Sequence, residues 1–121
     1  MAAPNIVNVA NIIGRTVGSA LTTSNTDIVT NSSSSNKVFK INSTYVSNID
    51  GTNNTDVTVT WYDSSSANTY NIAKTITVPA DATIVIIEKN SSIYLEEGDK
   101  LTASASANGD LEITVSYEEI S

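Results

Sequence analysis

Asp56-Val57-Thr58-Val59-Thr60-Trp61-Tyr62-Asp63 is the stretch that decides the fold. Apolar and polar residues alternate with a period of two. Val57, Val59 and Trp61 therefore share one face and Thr58, Thr60 and Tyr62 the other, the pattern of a half-buried strand. Its β-branched and aromatic residues suit a pleated surface better than a helix. Short runs of the same kind continue to the end of the chain, cut by turn signals. Ser64-Ser-Ser-Ala-Asn68 closes a hairpin onto residues 70–78, which end at Pro79 because proline cannot continue a central ladder. Residues 83–88 are apolar on both faces, which predicts cover from two sides or a subunit contact. Ile93-Tyr-Leu95, the turn Glu96-Glu-Gly-Asp99, a strand over 101–107 and the tight turn Asn108-Gly109-Asp110 follow. The last strand places Leu111, Ile113, Val115 and Tyr117 inward.

The first half reads in the same way. Residues 16–23 form a strand with Val17 and Leu21 inward, and after Asp27-Ile-Val-Thr30 the run Asn31-Ser-Ser-Ser-Ser-Asn36 is a polar loop. Over 38–49, Phe39, Ile41, Tyr45 and Ile49 point one way and Lys40, Asn42, Thr44 and Asn48 the other. Asp50-Gly51-Thr-Asn-Asn-Thr55 is a turn. The sum is an all-β chain, an antiparallel β-sandwich or jelly-roll-like domain of about seven to eight short strands.

Residues 1–14 differ. Ile6, Val7, Val9, Ile12 and Ile13 are interrupted by Asn5, Asn8 and Asn11, a spacing that fits neither the helical nor the strand period. The segment reads as an extended arm ahead of a single domain over 15–121, ordered by lying on a partner. An ordinary first strand is the competing reading. Asn5, Ile6, Val7, Val9, Ile12 and Ile13, with Val85 and Ile87 of the two-faced strand, are the expected partner contacts.

Composition narrows the function. The chain has 121 residues, enough for one domain with a two-layer core. Six basic residues stand singly against thirteen acidic ones, a net charge of −7. That excludes the clustered cations a nucleic-acid partner requires, and it disfavours anionic membranes. No stretch approaches the roughly 18 apolar residues of a membrane helix. The start has no basic and apolar leader, so the expectation is synthesis and folding in a cytoplasm. Without cysteine there is no disulfide and no thiolate metal site. Without histidine or a Gly-x-Ser-x-Gly turn, the many serines lack a general base, and neither enzyme activity nor a cofactor is expected.

Glu96, Glu97, Asp99, Glu118 and Glu119 fall in turn or terminal positions, where a solvated acidic surface is the expectation. Calcium held by Glu97, Asp99 and Asp110 is the sharper reading, but no Asp-x-Asp-x-Asp run supports it and no metal site is assigned. Outward threonine pairs, Thr58/Thr60 and Thr75/Thr77, match a solvated strand more simply than an ice-binding face. Tyr62 faces away from Val57 and Val59, and is the candidate for stacking on a glycan.

Four stretches together carry a resemblance. They are Asp56-Val-Thr-Val-Thr-Trp61, Tyr70-Asn-Ile-Ala-Lys-Thr-Ile-Thr-Val-Pro-Ala80, Ile93-Tyr-Leu-Glu-Glu-Gly-Asp-Lys-Leu101 and Ala107-Asn-Gly-Asp-Leu-Glu-Ile-Thr-Val-Ser-Tyr117. Over roughly residues 36–121 this series resembles small β-sandwich virion proteins of tailed bacteriophages. In those proteins a hydrophobic-Pro-Ala/Gly corner, a Leu-Glu-x-Gly-Asp turn and a final hydrophobic-Ser-Tyr-x-Glu strand recur. The resemblance implies a non-enzymatic virion structural protein, made in the host cytoplasm and oligomeric on the particle. A capsid decoration protein docked through its N-terminal arm to phage capsid proteins is favoured. A tail, neck or fibre accessory and a glycan-binding host-recognition module are the alternatives.

Overall fold

The computed structural model describes residues 7–121. Among these described residues nine strands are present: β1 (Ile12–Ala20), β2 (Thr26–Thr30), β3 (Val38–Asn48), β4 (Thr55–Asp63), β5 (Asn68–Val78), β6 (Thr83–Ile87), β7 (Ile93–Leu95), β8 (Lys100–Ala105) and β9 (Leu111–Ile120). A single 3₁₀ turn, Lys89–Ser91, follows β6. One sheet has the order β1-β9-β3-β6, with three-residue β7 also on β3; the second has the order β2-β8-β4-β5. All pairings are antiparallel. Without β7, two four-stranded sheets with first and last strands paired make the double-sheet arrangement of a jelly roll. The fold class expected from the sequence is the one found, and β7 lifts the strand count to nine.

The core is the apolar layer between the sheets. Val57 and Val59 of β4, Leu101 and Ala103 of β8, and Ile113 and Val115 of β9 are fully buried within it. Burying each such side chain contributes about 1.5–3 kcal/mol, which sets the alternation of the central strands. In β9 the phase runs as expected, Leu111, Ile113, Val115 and Tyr117 all facing in.

β3 departs from its expected phase. A bulge between Ile41 and Ser43 adds a residue opposite β9 and reverses the alternation beyond it. Phe39 and Ile41 stay buried, but Thr44, Val46 and Asn48 now face in, while Tyr45 and Ile49 face out. A second irregularity, where β6 meets β3, resolves the run over 83–88. Ile86 is the extra residue there, and Ile84, Ile86 and Ile87 all pack toward the core. Ile87 is only 2% exposed, so its expected role as a partner contact is corrected to core packing. Val85 remains outward.

Closing the ends of the sandwich falls to buried polar side chains. Asn31 opens the serine-rich loop and is fully buried. Its amide donates to the carbonyls of Lys37 (2.9 Å) and Leu95 (3.0 Å), and its oxygen accepts from Ser35 Oγ. Asn48 does the same at another corner, donating to the carbonyls of Asn53 (2.9 Å) and Val78 (3.0 Å) and accepting from Asp50 N–H. Asp99, expected in solvent, is buried and accepts from the amides of Ser64 and Glu96, both at 3.0 Å. The adjoining Gly98 has φ of +90° and lies so close to Ser64 that a Cβ there would meet its Oγ at 2.6 Å. The Leu-Glu-x-Gly-Asp turn is thus a structural lock.

Two stability outcomes follow. Asn48→Ala strands the buried Val78 carbonyl and is expected to cost about 2–3 kcal/mol in urea unfolding. Thr44 is fully buried with a hydroxyl that finds no hydrogen-bond partner among the described residues. Thr44→Val is therefore expected to raise stability by about 1 kcal/mol, and a loss in the same assay would contradict that assignment.

Candidate assembly surface

Unequal strand lengths leave the sandwich open along both sides. At one side β1 lies beside β2, and at the other β5 lies beside β6. β5 has eleven residues against five in β6, and β1 has nine against five in β2. The longer strands overhang. Tyr70 sits opposite Trp61, and Ile76 opposite Val57, so both lie in the core-facing phase of β4. They nevertheless remain 47% and 43% exposed, with Ile72 also exposed between them. Tyr70 stacks on Trp61 with ring centres 5.4 Å apart. On the other side Ile13, opposite Glu119 of β9, is 45% exposed.

Among the described residues, both overhanging strands are also sheet edges, with one row of backbone groups unpaired. Edge strands are usually blunted by charge or proline. Here β5 carries only Lys74 and β1 only Arg15, and neither contains proline. β5 is also bulged twice against β4, between Ile76 and Ala73 and between Ala73 and Asn71, and within the first bulge Thr75 has φ of +48° and turns its N–H back to Thr58 Oγ1.

β1 is pinned to the body by charge. Glu119 accepts from Arg15 Nε at 2.5 Å and from Lys37 Nζ at 3.0 Å. Partial burial pushes its carboxyl up, but the hydrogen bonds and charges of Lys37 and Arg15 together outweigh this and hold it below the ordinary carboxylate range. The β1–β9 ladder runs on past Ile12, because Asn11 and Ser121 exchange backbone hydrogen bonds at 2.9 Å.

The residues singled out from sequence divide clearly. Ile12 and Ile13 belong to β1, so the expected arm boundary at residue 14 falls inside a strand. Val7 and Val9 precede it, and Asn5 and Ile6 lie outside the described residues. Val85 is exposed on the outer face of its sheet, on the edge strand β6. Tyr62 is half-buried, with Lys100 Nζ 5.8 Å from its ring centre. The threonine ladder is broken, because Thr60 is buried against Thr102 and Thr77 donates to Asp56.

Glu97, Asp99 and Asp110 are not engaged as a set. Glu97 accepts from Asn36 N–H and Asp110 from Thr55 Oγ1, while Asp99 is spent on its two amides. Asp63, Glu96 and Asp99 do bring carboxylate oxygens within 4.8 Å of one another. Asp63 is itself committed to Ser65 and Ser66, and the Ser65 hydrogen bond helps hold its carboxyl below the ordinary range. These groups close turns. Among the described residues, no helix is long and apolar enough to cross a membrane.

No family model matches this chain, and no curated protein matches it significantly. A solved structure described under "Bacillus endospore appendages form a novel family of disulfide-linked pili" matches with a TM-score of 0.52 at 18% identity. The match covers 90% of this chain and 88% of the other. At that identity the likeness is one of fold.

Because the Glu119 carboxyl is depressed in the folded state, its stabilisation is present above the unfolded value and lost as pH falls through the folded one. Between about pH 6 and about pH 3, Glu119→Gln is expected to flatten the fall in melting temperature relative to wild type. Parallel curves would show that the Arg15–Glu119–Lys37 cluster contributes nothing to the acid response.

Proposed function

We propose that this chain is a non-enzymatic structural subunit that packs side by side with copies of itself in a repeating assembly. The observation that carries this reading is the pair of open sides. Each offers an unpaired strand edge next to exposed Ile or Tyr side chains. Joining the β1 side of one copy to the β5 side of the next would pair both edges and cover both overhangs. Such a contact joins two different patches, so it propagates into a ring or a filament instead of stopping at a dimer. Backbone hydrogen bonds would supply affinity, and the alternate side chains register.

The bacteriophage-like residue series over roughly 36–121 supports a virion form of this role, a capsid decoration protein whose N-terminal segment grips neighbouring capsid subunits. In that form the protein would be made in the host cytoplasm and carried on the particle. The fold shared with a protein described among disulfide-linked pili supports a fibre form of the same structural class, matching the tail or fibre alternative. These 121 residues contain no cysteine, so copies of this sequence would be joined by hydrogen bonds and apolar contact rather than by disulfides. The chemistry of the side chains supports the non-enzymatic reading: there is no histidine, and Asp63, Asp99, Asp110 and Glu119 are engaged in turns and an ion cluster.

Ile72→Lys combined with Ile76→Lys places two charges on the exposed edge, at side chains 36% and 43% exposed. In sedimentation velocity the wild-type chain is expected to associate as its concentration rises, and the double variant to remain monomeric with an unchanged melting temperature. Equal association of the two proteins would refute the edge contact.

A further inference from the structure

The outer face of the β1-β9-β3-β6 sheet carries a feature that side-by-side packing does not use. The bulge between Ile41 and Ser43 throws Tyr45 outward, where it lies directly opposite Val85 of β6. The two are 40% and 49% exposed, a pair of large apolar groups on the outward face, Tyr45 on an inner strand and Val85 on the edge strand β6. An open hollow of about 470 Å³ lies over them, rimmed by Asn42, Glu88, Lys89 and Ser116. That volume is within the range of small-molecule sites.

We propose that this hollow binds a neutral, hydroxyl-rich chain, an unbranched oligosaccharide, with one sugar ring laid on Tyr45. Three features select that chemistry. The floor is an aromatic ring beside a valine, which suits the apolar face of a pyranose. The rim offers both acceptors and donors: the Glu88 carboxylate accepts from hydroxyls, the Lys89 ammonium donates to them, and Ser116 does either. The Asn42 side chain is held in place, its amide donating to Glu118 Oε1 at 3.0 Å. One acid and one base on the rim leave no net charge, which disfavours a strongly anionic or cationic ligand.

A peptide is the less suitable occupant. β3 is paired on one side by β9 and on the other by β6 and β7, and β9 is paired on both sides, so a peptide strand could add only along the outer edge of β6, off the Tyr45 and Ser116 floor. The hollow is open at the surface, so a chain crosses it with only some of its rings in contact. The site is distinct from Tyr62, which lies on β4 in the other sheet.

The test is an amide NMR titration of the full chain with maltohexaose, cellohexaose and the N-acetylglucosamine hexamer in turn. The expected result is saturable shifts at Ser43, Tyr45, Val85 and Lys89 with at least one of the three. Tyr45→Ala should weaken that binding at least tenfold, while Tyr62→Ala leaves it unchanged. Because Tyr45 points away from the core, the variant is expected to keep the wild-type melting temperature. Val85→Glu, which charges the floor from the neighbouring strand, serves as a second variant should Tyr45→Ala unfold. Absence of saturable shifts with all three sugars at millimolar concentration overturns the proposal. So does binding that survives both variants, or shifts at these residues that follow protein concentration without sugar, which would mean that a second copy covers the hollow.

Discussion

One apolar layer, sealed between two antiparallel sheets, is the constraint on which the rest of the molecule depends. Val57, Val59, Leu101, Ile113 and Val115 must all face the same gap, and the strands carrying them come from distant parts of the sequence. Sealing that layer forces backbone through the corners of the sandwich, where carbonyls and N–H groups are cut off from water. Asn31, Asn48 and Asp99 meet that demand, each with side-chain bonds to two or more backbone groups or a neighbouring hydroxyl. The same layer explains the open sides. It is as wide as the shorter strands β2 and β6 allow, so the longer β1 and β5 extend past it.

Where side-chain period alone sets the structure, the sequence could be read directly. β9 keeps its alternation from Leu111 to Tyr117, and Val57 and Val59 are where a period of two puts them. The reading fails wherever a strand gains a residue. The bulge at Ile41/Ser43 turned Tyr45 and Ile49 outward and Thr44 and Asn48 inward, and no residue there signals it, since Asn42 and Ser43 are ordinary strand-face residues. The irregularity at Ile86 likewise converted an apparently two-faced strand into one with a single outward apolar side chain, Val85.

Long-range polar partners were equally hidden. Asn31 begins a run of serines that looks like a solvated loop, yet its amide reaches a carbonyl sixty-four residues away. Glu119 looked like a terminal surface acid, and its partners Arg15 and Lys37 lie 104 and 82 residues distant. The candidate assembly surface was half legible. The apolar content of the segment over 1–14 and of residues 70–78 was visible, but their position as overhanging edges depends on the length of the strand packed opposite. That length is a property of the assembled sheets.

The arrangement separates a rigid, closed centre from sides that remain chemically simple: an unpaired backbone row, a few aliphatic and aromatic groups, and one cation on each of β1 and β5. The measurement that tests the account most directly is cryo-EM of assemblies purified from the source organism, at a resolution that traces strands. The expected result is this chain in a repeating array, with the β1 edge of one copy hydrogen-bonded to the β5 edge of the next. Copies whose β1 and β5 edges both face solvent, held to their neighbours through other surfaces, would contradict it.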